Sequence, residues 1–495
     1  MPLPARSPYV ALLVSVGLAT QACAEPPAHW PQFRGPNASG VAPEGMKLPT
    51  KFGPSEHVVW KTPLKPGASS PCVWGDRVFL TSFDMDAKKL ETICLDRTNG
   101  QVLWRQAAPA EMIEKVHKVS SPAVATPAAD GERVYVYFGS YGLLCYDFAG
   151  KELWKVPLPT PQTRFGSGTS PIVIGERVLL YSENLPKPFL LAVDGRTGTT
   201  AWKKEWLPLM EGYSTPIVWE HDGKTDLVTL SPARIAGRDP ADGSERWFVG
   251  VMCTACTTPV IGDGRLYAAT YMIGGEADEM VPLPTFDQLL EKYDADKDGQ
   301  ISKDEFPKDM AVLRRPGAGD VPGADVKVIN FFNQIDLNKD GKISRFEWTL
   351  VAAFANRKVD HGVLAIKPGG SGDVSKSHVA WKEPKEVPEI ASPVYYRGRL
   401  YTVRNGLVSC LHAETGKVVY RERLGPGGMY YSSPIAGDEK LYAASGLGVV
   451  TVFAAGDKFQ VLARNDFGEP IMATPAVTDG TLYIRTEKHL YAVKE

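Results

Sequence analysis

The chain has 495 residues, 43% of them hydrophobic, and a formal net charge of only −2. A chain of this size and composition can bury a large core. It offers no strong field to a polyanion, so nucleic acid and anionic membrane surfaces are not expected partners.

The first 24 residues read as an export signal. Arg6 is the only charge among them, Val10 to Ala19 is a short apolar core, and Ala22-Cys23-Ala24 fits a small-residue cleavage site before Glu25. The apolar run is too short to span a bilayer. Cys23 offers a lipid anchor as the alternative, although Thr20-Gln21-Ala22 is a poor sequence before a lipidated cysteine. No later stretch looks transmembrane. A periplasmic or secreted protein is expected, with an N-terminal arm over 25–56.

Beyond the arm, two signals recur. The first is a strand, a turn glycine and an aromatic four residues on: Asn99-Gly100 with Trp104, Ala149-Gly150 with Trp154, Thr197-Gly198 with Trp202, Asp242-Gly243 with Trp247, and Thr415-Gly416 with Tyr420. Weaker copies end at Trp381 and Val461. This is hairpin grammar, since a tight turn needs positive φ and therefore favours glycine. The second signal is Ser or Thr followed by Pro at the head of a short apolar strand. It is read at Ser70, Ser121, Ser170, Thr215, Thr258, Ser392, Ser433 and Thr474. Proline is tolerated at a strand's first residue. The unit is about 43 residues long, and one interval carries about 91 extra.

Four short antiparallel strands repeated eight times predict an all-β fold, an eight-bladed β-propeller. The last segment, HLYAVKE, supplies a third strand with no fourth, and HVVWKTPL near the start is a fourth strand with no third. Pairing Val58–Lys61 beside His489–Val493 closes the ring and removes its open edges. The propeller then occupies 57–271 and 361–495.

The Thr-Gly-x-x-x-Trp repeats, as in DGRTGTTAW and DRTNGQVLW, resemble the pyrroloquinoline-quinone (PQQ)-type propeller repeat. HWPQFRGPNASG, from His29 to Gly40, resembles the leader segment of exported members. The resemblance implies that each repeat tryptophan docks between neighbouring blades. It leaves function open, because the group includes dehydrogenases and non-catalytic outer-membrane assembly propellers. The dehydrogenases add adjacent cysteines above the cofactor, a calcium site and a catalytic aspartate. No adjacent cysteines occur here, so a PQQ-dependent oxidoreductase is the alternative to a binding or assembly scaffold, and no catalytic residue is assigned.

The interrupting segment, 272–360, extends the loop between the second and third strands of blade 5. It holds DADKDGQISKDE (Asp294 to Glu305) and DLNKDGKISRFE (Asp336 to Glu347), two full EF-hand calcium loops. Asp294, Asp296, Asp298, the Gln300 carbonyl and Glu305 are the expected ligands of one ion. Asp336, Asn338, Asp340, the Lys342 carbonyl and Glu347 are those of a second. Gly299 and Gly341 permit the sharp bend, and Ile301 and Ile343 are placed to pair. Helices are expected over TFDQLLEKY and VKVINFFNQI, with Phe331 among the inward residues of the latter. Phe346, Leu350 and Phe354 are read as marking the exit helix of the second hand, and Pro307 should shorten that of the first. With Met310 the sole methionine in 285–358, two structural calcium ions are expected rather than a sensor.

Six cysteines follow the signal, of which Cys253-x-x-Cys256 is the one pair by spacing. A local disulfide and two buried thiols both fit. On the face shared by blade connections and the insertion, Arg164, Arg404, Arg485 and Tyr430 are candidate binding residues. Three arginines near one mouth point to a protein or a small anionic ligand.

Overall fold

The computed structural model describes residues 29–207, 210–276, 279–314, 325–356, 361–385 and 387–495. The expected export signal and Cys23 lie outside them. Among the described residues no helix is long and apolar enough to cross a membrane.

Eight antiparallel sheets make eight blades, each numbered here from the axis outward. Blade 3 is typical, with strands Ile172–Ile174, Arg177–Ser182, Phe189–Asp194 and Thr200–Glu205. Its two middle strands are almost wholly buried, while the outermost is largely exposed. Middle strands are covered on both faces by neighbouring blades, which is why they read as continuous apolar runs instead of alternating.

The turn glycines and the tryptophans explain each other. Trp60 sits on Gly100 of the next blade, Trp104 on Gly150, Trp154 on Gly198, Trp202 on Gly243 and Trp381 on Gly416. A Cβ on Gly100 would stand 2.5 Å from the Trp60 ring, and φ there is +73°. Both the turn and the docking therefore demand glycine. Most of these indoles also donate across the seam, as Trp60 does to the Arg97 carbonyl at 2.8 Å. Trp247 departs from the scheme and donates within its own blade to Asp226 at 2.6 Å. The long turn preceding Trp381 swings Gly372–Asp373 onto the outer edge of blade 4, adding a parallel fifth strand there.

Blade 8 closes as expected, with Val58–Pro63 antiparallel to His489–Val493. Blade 2 corrects the sequence reading. Its inner strand is Ala128–Ala129, so Thr126-Pro127 opens it and not Ser121-Pro122. Both dipeptides precede small apolar residues, and the one nearer the second strand wins because only a short hairpin fits between them.

The N-terminal arm crosses the ring at the end opposite the blade connections. Trp30 pairs with Val73 of blade 1, Asn37 exchanges hydrogen bonds with Val218 of blade 4, and Val41 pairs with Ala436 of blade 7. Arg34, fully buried, donates to the Pro393 carbonyl of blade 6 at 2.7 Å. The arm is thus a plug for the axial channel.

The insertion leaves blade 5 between strands Arg265–Thr270 and Gly362–Ile366, which pair directly. Helix Phe286–Tyr293 starts at a Thr285–Gln288 capping box. Pro307 leaves the first hand with turns in place of an exit helix. In the second hand the buried residues described on helix Arg345–Ala355 are Glu347, Trp348 and Ala355, while Phe346 is 68% and Leu350 49% exposed and the Phe354 side chain lies outside the described residues. The inward register is therefore offset from the Phe346/Leu350 face expected from sequence. Phe331 is likewise exposed, because Val328–Phe331 is a 3-10 turn that breaks the helical spacing before Phe332–Ile335.

Candidate functional site

The residue before each inner-strand proline is held extended by the proline ring. Its backbone N–H points sideways, to the hydroxyl of the equivalent residue in the next blade. Ser70 donates to Thr126, Thr126 to Ser170, Ser170 to Thr215 and Thr215 to Thr258, at 3.0 to 3.3 Å. Thr258 continues to Ser392, Ser392 to Ser433 and Ser433 to Thr474, at 2.9 to 3.0 Å. Thr474 then donates to Ser70 at 3.0 Å. The result is a closed, one-directional ring around the axis, and it explains why the position is always Ser or Thr.

This ring lines a cavity of about 640 Å³ at the mouth of the channel. Phe33, from the arm, reaches it from the plugged end, and its walls include Phe165, Tyr213, Tyr271, Tyr431 and Met472. Among the described residues three charged ones line it: Arg164, Glu211 and Glu389. Glu211 accepts the Arg164 backbone N–H at 3.1 Å and the Tyr213 hydroxyl, and the Arg164 guanidinium stands 3.9 Å away. Burial, and then the bond to Glu211, push the Tyr213 phenol far up, so it stays protonated and donates.

The other candidate arginines do not join Arg164. Arg404 is buried in paired contact with Glu276 and Glu279, and its guanidinium lies 5.2 Å from the Tyr271 ring centre. Burial opposes its charge, but the two carboxylates outweigh this and raise its pKa. Both glutamates belong to the stalk of the insertion, so Arg404, on blade 6, ties the insertion to the ring. Arg485 is 1% exposed and donates to the Ser69 carbonyl and hydroxyl at 3.0 and 2.7 Å, and burial lowers its pKa to about 9. Tyr430 is buried between blades 6 and 7 and donates to the Pro426 carbonyl. Sequence spacing placed all of these on connections between strands or blades, but carries no sign of which partners claim them. The anionic ligand inferred from three converging arginines thereby loses its basis.

Cys253 and Cys256 are free thiols. Cys253 is buried and faces the Ser231 carbonyl, while Cys256 lines the mouth beside Thr254. Burial pushes both up to about 12, so neither is a thiolate at neutral pH.

The two EF loops repeat one hydrogen-bond scheme. Glu305 accepts the Ala295 and Ser302 amides, both at 2.9 Å, as Glu347 accepts those of Leu337 and Ser344 at 2.8 Å. Asp294 holds the Gly299 amide and Asp336 that of Gly341, each at 3.0 Å. Ile301 and Ile343 pair antiparallel between the loops. Oxygens of Asp294, Asp296 and Glu305 lie within 4.8 Å of one another, a hard-oxygen set that suits calcium. Asn338 in place of a carboxylate makes the second loop less acidic. Sequence reasoning missed one feature: the Lys342 ammonium crosses from the second loop onto Asp298 of the first.

The mouth does not suit a tricarboxylate quinone. Its charged lining is two carboxylates and one arginine already set beside Glu211, with no acidic cluster for a metal among the described residues there.

No curated protein matches the sequence. The family model described as outer membrane protein assembly factor BamB matches residues 51–185 and 92–274, and an EF-hand model matches 286–310 and 329–352. BamB from Moraxella catarrhalis is 12% identical, with 88% of this chain and 98% of that chain covered and a TM-score of 0.52. A quinohemoprotein alcohol dehydrogenase from Pseudomonas putida HK5 is 12% identical, with 95% and 80% covered and a TM-score of 0.53. A europium-containing methanol dehydrogenase is 11% identical, with 95% and 98% covered and a TM-score of 0.52. At such identities these neighbours show the fold alone. The matched models thus place BamB-like propeller repeats over 51–274 and a pair of EF-hands over 286–352, and the solved neighbours share the propeller fold.

Proposed function

We propose that the protein is an exported binding scaffold whose EF-hand pair holds two structural calcium ions and whose mouth cavity receives the ligand. The observation that carries this is the mouth itself: a built cavity, floored by a hydroxyl ring, whose edge at Tyr271 is gripped by the Arg404 clamp that also fixes the insertion. The oxygen ligands in each loop are held in place by backbone amides, so an ion would meet a largely preformed site. Calcium supplies charge that orders the insertion; it takes part in no reaction here. The matched family description, an outer-membrane assembly factor, is consistent with export and with a binding role.

A PQQ-dependent dehydrogenase is the other class among the structural neighbours. Against it stand the acidic lining of the mouth and the Cys253/Cys256 spacing. Mass spectrometry of the native protein discriminates the two. Calcium at two ions per chain with no quinone supports the scaffold, and a stoichiometric quinone overturns it.

A further inference from the structure

Every oxygen of the mouth ring already accepts a backbone N–H, so what each hydroxyl has left to give is its own proton. The ring residues are only 1–3% exposed, and among the described residues none of their hydroxyls donates to a protein acceptor within reach. Eight O–H donors therefore converge on the base of one cavity, a demand for acceptor oxygens that the protein does not meet.

The rest of the lining narrows what can meet it. A purely apolar occupant would strip water from the ring and leave its donors unpaired, which is costly. A cation would face the positive ends of the hydroxyl dipoles. An anion would face Glu211 and Glu389 with Arg164 already drawn to Glu211. A neutral molecule bearing many hydroxyls avoids all three conflicts, since it accepts from the ring and donates to the carboxylates. It also has a use for the aromatic walls, because the C–H faces of a pyranose pack on rings such as Phe33, Phe165 and Tyr271. A volume of about 640 Å³ is in the range of small-molecule sites. We propose that the mouth cavity binds a neutral saccharide of one or two sugar units, seated on the hydroxyl ring. This rests on the reading of the mouth as the ligand site.

The test uses the calcium-loaded full chain, titrated with glucose, galactose, cellobiose, maltose and diacetylchitobiose, and followed by calorimetry and saturation-transfer NMR. Benzoate and N-phenyl-1-naphthylamine serve as anionic and apolar probes. The expected result is saturable binding of at least one saccharide below 10 mM. It should be weakened at least fivefold in the Thr215→Val/Thr258→Val double variant, and retained in Thr215→Ser/Thr258→Ser, which keeps the hydroxyls. Absence of any saturable saccharide binding below 10 mM overturns the proposal, as does binding that the serine pair loses. Val124→Trp, which fills the cavity, separates the two levels. If it abolishes benzoate or naphthylamine binding while no sugar binds, the mouth is a ligand site of another class. If no probe responds to it, the mouth reading itself fails.

Discussion

Lys342 of the second calcium loop sets its ammonium on Asp298 of the first, and it also stands 4.0 Å from Asp296. By expected ligand carboxylates the first loop is the more acidic, with Asp294, Asp296, Asp298 and Glu305 against Asp336, Asp340 and Glu347. The lysine offsets that surplus, because an entering ion must displace it or share Asp298 with it. Lys342→Gln should therefore tighten the first site about threefold to fivefold, the scale of one exposed ion pair. The second site should change little, since position 342 serves it through the backbone carbonyl. Calorimetric calcium titration of the variant checks both; an unchanged first site would remove the lysine from the account.

Glu305→Gln and Glu347→Gln should each delete one calcium site and spare the other. Each glutamate also holds backbone amides of its own loop, so neutralising it loosens the cradle as well as the charge. Chelation of the wild type should unfold the insertion while the propeller persists, giving a biphasic thermal transition in EDTA and a single later one in calcium. No calcium uptake at millimolar concentration by the wild type would contradict this.

Arg404→Met should uncouple the insertion from blade 6. It removes the buried ion pair with Glu279, which is 1% exposed, and breaking such a pair from one side costs about 3–5 kcal/mol. Limited proteolysis should then cut the stalk near 279–284 faster than in the wild type, at equal calcium. Equal cleavage rates would count against the clamp.

Glu114 carries a pH dependence. Burial raises its carboxyl to about 7, and the Ser167 hydroxyl only partly compensates. The folded state thus holds this proton more tightly than the unfolded chain does. Its contribution is fully present below the unfolded pKa near 4.5 and is lost as pH rises through about 7. Glu114→Gln should flatten the fall in stability over that window, by up to about 3 kcal/mol at pH 8. Denaturant titrations at pH 5 and pH 8 measure it.

Deleting residues 489–495 should remove the strand on which Val58–Pro63 closes blade 8. Leu490, Tyr491 and Val493 also lie in the core formed by blades 1, 7 and 8. A fall in melting temperature of more than 10 °C is expected, on the order of several buried side chains. Unaltered cooperative unfolding would argue against closure as a source of stability.

The repeat was legible because glycine and tryptophan meet across every regular seam, so a local turn preference and a long-range contact select the same letters. The calcium loops were legible because an ion dictates residue type at fixed offsets within twelve positions. Arg404 and Arg485 were not, since their partners, Glu276 and Ser69, are distant in sequence and nothing local marks them. Ser121 and Thr126 illustrate a finer limit. Two equivalent dipeptides five residues apart satisfy the same pattern, and only the hydroxyl ring, a contact with the next blade, selects between them. The arm's role as a plug was hidden for the same reason: Trp30, Arg34 and Val41 touch blades 1, 6 and 7, which no periodicity connects.

The link from Thr474 to Ser70 spans the two ends of the polypeptide, yet it matches the other seven in kind and length. At the axis, therefore, the molecule has no seam, and nothing there records where the chain begins. A circular permutant that joins Glu495 to the arm and opens instead at the exposed turn Gly175-Glu176 should assemble the same ring, with blade 3 then completed by strands from both ends of the chain.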